Sequence, residues 1–212
     1  MATKIGLFNG ALVELGHRPL VDTGEAVEAG RDLNRVYGQV LGECLSSGSW
    51  NFATETIQAA ADTGVTPAFG YTEVFAKPSD WVRTVGVSLD EYFNYPLTQY
   101  YDDDTVWSAD SSPIYVRYVS NDTGMGLDMA RWPAMFTRYV ELSLAARVCL
   151  SITQSETALE RVEKKLKEAK RAALNQDAMN ESQPKFAPPG SWTSARGGGG
   201  ARDRGNRGSL TG

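Results

Sequence analysis

The sequence predicts an α+β fold: an antiparallel helix bundle with an inserted antiparallel β region and an extended C-terminal tail. Three observations predict it. Apolar residues recur every three or four positions before about residue 46 and again after residue 132. Between residues 50 and 119 the period falls to two, which is the strand repeat. Beyond Pro184 apolar periodicity stops. Strands flanked by helices on both sides place the sheet inside one domain, residues 1–181, with residues 182–212 as a separate basic segment.

Residues 4–15 form the first helix, with Leu7, Phe8, Ala11, Leu12 and Leu15 on one side. Gly16 ends it in the left-handed position after the cap, and Pro19 prevents its resumption. Asp22-Thr23-Gly24-Glu25 reads as a capping box opening a second helix over 25–46. Its core face is Ala26, Ala29, Leu33, Val36, Val40 and Cys44, flanked by Tyr37 and Leu41. Gly30, Asn34, Gly38 and Gly42 lie four apart on the same helix. An interior glycine costs about 0.8–1.0 kcal/mol against alanine, so the row implies a close backbone approach, by another part of the chain or by a neighbouring subunit.

Ser47-Gly48-Ser49 stops that helix, and Trp50 and Phe52 follow as anchors of the junction between helices and sheet. Trp81, Arg83, Val85, Val87 and Leu89 alternate with Val82, Thr84, Gly86 and Ser88, with Trp81 as a further core anchor. Residues 100–107 read as a hairpin around Asp102, Asp103 and Asp104. Ile114, Val116 and Tyr118 alternate with Tyr115, Arg117 and Val119, and Asn121-Asp122-Thr123-Gly124 turns the chain back into helix.

The helix over 133–152 carries Phe136, Val140, Leu144, Val148 and Ile152, widened by Tyr139, Leu142, Ala145 and Cys149 until most sides are apolar, so it is buried on most sides. Thr153-Gln154-Ser155-Glu156 reads as a capping box for a helix over 154–178. There Leu159, Val162, Leu166, Ala169 and Ala173 form a narrow seam among Glu, Lys and Arg. Such a seam packs along a neighbour within the chain or between subunits.

The net charge is -5. Residues 182–212 hold Lys185, Arg196, Arg202, Arg204 and Arg207 against Asp203, a net of +4, which leaves -9 on residues 1–181. An acidic body is a poor nucleic-acid binder, because that affinity comes from Lys and Arg displacing counterions. Glu141 and Arg147 interrupt the most apolar stretch, so no membrane span is expected, and the N-terminus shows no signal-peptide core. Cys44 and Cys149 both fall on apolar helix faces, as reduced core residues of a cytosolic chain do.

Residues able to carry chemistry are few. His17, the one histidine, follows the helix-ending Gly16 and reads as a capping or surface residue. With two distant cysteines it makes no zinc set. Asp102–Asp104 lacks the Gly and the terminal Glu of a calcium loop and reads as a solvated hairpin tip. The glycines at 197–200 precede no helix. No catalytic residue, metal ligand or cofactor is expected. In the tail, Phe186 and Trp192 with Arg196, Arg202, Arg204 and Arg207 suit docking in a protein groove, since Trp and Arg are enriched among binding anchors. Arginine–glycine tails also bind single-stranded nucleic acid.

The order Leu15-Gly16, Ala29, Tyr37, Leu41, then Trp50-Asn51-Phe52-Ala53, resembles the start of the head-to-tail adaptors of short-tailed bacteriophages, the tail tubular protein A family. Phe69-Gly70-Tyr71 and Pro78-Ser79-Asp80-Trp81-Val82-Arg83 continue the resemblance, the latter like the family's Pro-Ser-Asp-aromatic start of a strand. Tyr118, Pro133, Phe136, Ala145-Ala146 and the charged helix closing near Asp177 complete it over about residues 5–181. The stretch Arg196–Gly208 lies outside it. The resemblance implies a homo-oligomeric ring, usually twelve-fold, seated under the portal protein in the neck of the virion after assembly in the host cytoplasm. The ring holds the tail nozzle protein on its other side and passes double-stranded DNA without binding it specifically. Two other classes remain: a nucleic-acid-binding protein acting through the arginine–glycine tail, and a wall-degrading enzyme of the virion.

Overall fold

Thr3 opens the first helix because its hydroxyl can accept from the Gly6 N–H, at 3.1 Å. In the computed structural model, which describes residues 2–25, 27–65, 67 and 70–180, this helix, α1, spans Lys4–Glu14. Gly16 has φ +70°. Its N–H donates to Val13 at 3.1 Å, and that of His17 to Leu12 at 2.9 Å. This paired closure satisfies two carbonyls of the last turn, so His17 contributes to the cap through its backbone.

Helix α2 spans Glu28–Ser46, three residues later than predicted, and its N-cap Val27 makes no side-chain cap bond. The capping box at Asp22–Glu25 does not form. The Glu25 carboxylate instead takes the Val21 N–H (2.9 Å) and the Arg18 guanidinium. Asn9 holds both the N–H and the C=O of buried Leu20, at 2.7 and 3.0 Å. The linker is therefore tied to α1, and its acids are spent there. Ala26 lies outside the described residues.

A 3-10 turn, Asn51–Ala53, carries Phe52, with Trp50 as its N-cap, and six strands follow among the described residues. These are β1 Thr54–Ala59, β2 Glu73–Ala76, β3 Trp81–Ser88, β4 Tyr101–Asp102, β5 Val106–Ala109 and β6 Ile114–Ser120. They form two antiparallel sheets ordered β1-β6-β3 and β2-β5-β4. Phe75, Trp107 and Ala109 of one meet Ala59, Val87, Ile114 and Val116 of the other in a small second core. The expected hairpin is β4–β5, with Asp102 opposite Trp107. Strand β3 does not alternate throughout. Register shifts between Trp81 and Arg83 and between Thr84 and Gly86 change its phase. Val85 therefore stands exposed while Val87 is buried.

Helix α3 spans Ala134–Thr153 and α4 spans Glu156–Asn180. The cap between them is Ser155, whose hydroxyl accepts from Ala158 N–H at 3.3 Å. Thr153 was expected in that role. Its hydroxyl instead bonds back to the Cys149 carbonyl at 2.8 Å, so it is still the last turn of α3, and Gln154 at φ +50° makes the corner. Helix α3 packs against α1, α2 and α4, which is why it is apolar on most sides. Cys44 and Cys149 are buried and free, as their positions predict. The whole is an α+β domain: a helix bundle carrying a β sandwich.

Asp80 fastens two neighbouring strands of the β1-β6-β3 sheet. Its carboxylate accepts from the Ser120 and Tyr118 hydroxyls and its carbonyl from the Asn121 N–H, locking the start of β3 to the end of β6.

Candidate interaction surfaces

The junction aromatics sit where the sequence places them. Trp50 is 1% exposed. Its ring lies 4.8 Å from Phe136 and 6.2 Å from Phe52, centre to centre, and its indole N–H donates to the Cys44 carbonyl at 3.0 Å. Phe52 is half-buried and packs on Phe136 at 4.7 Å. Trp81 joins the sandwich core and donates from its indole to the Thr84 hydroxyl at 3.1 Å.

The glycine row divides. A side chain at Gly30 would meet Leu20 and the Glu25 carbonyl, so Gly30 packs within the chain. Gly38 and Gly42 are exposed, and nothing lies within 4 Å of where a Cβ would stand. Tight packing among the described residues does not explain them. The seam of α4 is used within the chain: Val162 is fully buried, and Leu159 and Leu166 pack partly buried against the same core. It lies along α3 and is not free for a neighbouring subunit. Phe186, Trp192, Arg196, Arg202, Arg204 and Arg207 lie outside the described residues.

Three polar groups gave no sequence signal. Lys77 is 3% exposed at its side chain and bonds the Asp102 carboxylate and the Asp103 carbonyl. Its ammonium lies 3.4 Å from the centre of the Trp81 ring. The first acid of the triple-Asp hairpin thus has its own cation. Glu14, on α1, bonds Arg138 of α3 and Lys165 of α4 (2.8 Å to Lys165), and these bonds hold its carboxyl below the usual range against the opposing effect of burial. Glu141 lies where a Cβ on Gly10 would be, 2.5 Å from its Cδ, and burial pushes its carboxyl up. Only Gly10 could have signalled this, as a small residue facing α3.

A groove between α2, α3 and α4 is lined by Glu43, Cys44, Tyr139, Ser143 and Arg147, among others. Its hydroxyls are engaged: Ser143 donates to the Tyr139 carbonyl at 2.8 Å, and Tyr139 to Ser47 at 3.2 Å. Burial raises the Cys44 thiol and pushes the Tyr139 phenol up to about 12, so both stay protonated at neutral pH. Glu43 is paired with Arg147. Among the described residues, no group of three or more His, Cys, Asp or Glu is placed to share a metal ion, and no helix is long and apolar enough to cross a membrane.

The exposed apolar groups gather elsewhere. In the loop after β3, Tyr92 is 75% and Tyr95 62% exposed, beside the half-exposed Leu89. Comparison with protein-family models gave no match, and comparison with curated proteins gave none.

Proposed function

We propose that the chain is a structural virion protein, the ring-forming head-to-tail adaptor that its motif order resembles. In this reading twelve copies close a ring between the portal protein and the tail nozzle protein, in the neck of the virion. The observation that carries the reading is the Gly38/Gly42 row. Two interior glycines weaken α2 by about 0.8–1.0 kcal/mol each, and among the described residues no contact uses the space they leave. A helix of the adjacent subunit laid on that row is the contact that would. The charge of -9 on residues 1–181 supports a conduit, since an acidic wall lets a polyanion pass without holding it.

The tail serves the same reading. Residues 182–212 follow the end of α4 with Phe186, Trp192 and four spaced arginines, suited to docking on portal or nozzle rings. Repeated around a ring, weak contacts multiply through effective concentration. Electron microscopy of the purified protein mixed with its portal tests the reading directly, and rings of defined symmetry stacked on portals are expected. A chain ending at Gln183 should melt within a few degrees of the full chain yet bind portal or nozzle rings far more weakly. Monomers that ignore both partners, but bind DNA with a steep salt dependence, would favour the nucleic-acid reading instead.

A further inference from the structure

The acidity of residues 1–181 belongs to the β part. Residues 51–128 hold twelve Asp and Glu against Lys77, Arg83 and Arg117, a net of -9. The helical parts, 1–50 and 129–180, hold thirteen Lys and Arg against twelve acids, and their positive charge gathers on α4. Residues 161–171 carry Arg161, Lys164, Lys165, Lys167, Lys170 and Arg171 against Glu163 and Glu168, while Glu156 and Glu160 stand apart at the helix start. Of these six cations only Lys165 is in an ion pair among the described residues, with Glu14 at 2.8 Å.

The helical repeat places the others. Val162, Leu166, Ala169 and Ala173 of α4 turn toward the bundle core. Lys164, Lys167 and Arg171, three and four residues apart, fall on the opposite side and are exposed. Helix α4 packs on α3, so this outward face is uncovered among the described residues. From Lys164 to Arg171 it runs about 10 Å at 1.5 Å per residue.

We propose that this face docks on the β2-β5-β4 sheet of a second copy of the chain. Charge complementarity selects that occupant, and the strand register places the acids. Glu73 opens β2 opposite Ala109, with Asp110 next along the chain. Beside them the Asp62 N–H donates to the Val74 carbonyl at 2.7 Å. Asp103 and Asp104 stand at the other end of the sheet, in the hairpin where the Asp103 N–H donates to the Val106 carbonyl at 3.0 Å. The two groups lie about 10–13 Å apart at about 3.3 Å per residue, which matches the span from Lys164 to Arg171. Lys77 is spent on Asp102, and the other acids of this sheet meet no cation among the described residues. The basic face of one copy and the acidic sheet of the next make a head-to-tail contact, which closes a ring when repeated by rotation. Exposed charge pairs are individually weak, so the contact gains strength where a ring repeats it. The inference deepens the adaptor reading and rests on it.

Charge reversal on each side, read in electron micrographs of the full chain on portals, tests it. The helix variant is Lys164→Glu/Lys167→Glu/Arg171→Glu, and the sheet variant is Asp62→Lys/Asp103→Lys/Asp104→Lys. All six side chains are exposed, so both variants should melt within a few degrees of the wild type. Each variant alone should lose its rings, because like charges then face each other at every contact. An equimolar mixture should restore them, since helix and sheet variants alternating around the ring meet with opposite charge. Wild-type rings should also thin out as salt rises from about 0.05 to 0.5 M. Rings of the helix variant as abundant as those of the wild type, or a mixture that restores nothing, overturn this inference and leave the adaptor reading standing. A wild type that forms no rings overturns that reading and this inference with it. Duplex DNA held by the wild type and released by the helix variant, with rings intact in both, assigns the face to nucleic acid and overturns the proposal.

Discussion

Replacing Trp50 with alanine is the sharpest test of how the two layers are joined. The side chain is 1% exposed and touches Phe52, Phe136 and Tyr139, so truncation leaves a cavity walled by aromatic rings that α3 and the 3-10 turn hold apart. Large-to-small changes of buried Phe or Trp cost about 3–5 kcal/mol. The lost indole bond adds little. The Cys44 carbonyl still receives the Ser47 hydroxyl at 2.8 Å, so no buried acceptor is orphaned. At about 2–4 °C per kcal/mol for a domain of this size, the melting temperature should fall by about 6–20 °C. Trp50→Phe keeps part of the packing and should cost about 1–2 kcal/mol. Urea unfolding followed by far-UV circular dichroism measures both. A loss under about 1 kcal/mol for Trp50→Ala would refute the assignment of this residue as the anchor.

Substitutions at three other positions probe independent features. Gly38→Ala meets open space on α2, so it should stabilise the isolated chain by about 0.8–1.0 kcal/mol, while Gly38→Leu should fold normally but fail to form rings in micrographs; normal ring formation would remove the glycine row from the interface. Gly126→Ala would place a Cβ 2.0 Å from the Ser120 carbonyl oxygen; it should cost about 3 kcal/mol or more as overpacking against backbone, and a wild-type denaturation midpoint would show the turn to be wrongly built. Burial, with help from Glu14 and against Arg138, raises the Glu141 carboxyl in the folded chain. Between the unfolded and folded values the native state then holds the extra proton, so stability falls as pH rises through that window. Glu141→Gln should accordingly raise the melting temperature at pH 7 and lose its advantage at about pH 4 and below; parallel melting profiles across that range would contradict the buried assignment.

The parts legible in the sequence are those decided by short-range geometry. The apolar coat of α3 is one, and the glycine closure after α1 is another, because φ +70° at Gly16 is a local requirement. Both capping boxes failed for a shared reason. A Ser, Thr or Asp near a helix end can bond its own turn, the next helix or a distant backbone group, and its sequence neighbours do not say which. At Thr153 the hydroxyl stayed with α3. At Glu25 the carboxylate served Val21 and Arg18. The phase change in β3 was half visible, since a glycine inside a strand, here Gly86, is a bulge signal. Lys77 was not legible at all: only the arrival of Trp81 and Asp102 from elsewhere makes its burial tolerable. The aromatic loop after β3 could be read only in part. Tyr92 and Tyr95 are plain in the sequence, but their exposure depends on the turn that the Asp90 carboxylate holds.

Strand β6 runs through both hydrophobic cores: Val119 belongs to the bundle, Ile114 and Val116 to the sandwich. No flexible linker intervenes, and the Asp80 knot fastens β3 to β6 at the crossing point. A strand shared in this way acts as a lever. A push on the sandwich tip is carried along β6 and delivered as shear at Val119 and Asp80, close beside Trp50, instead of being absorbed by a hinge. The β extension therefore moves with the bundle as a single rigid arm, and the orientation of its tip is set by how the helices are seated.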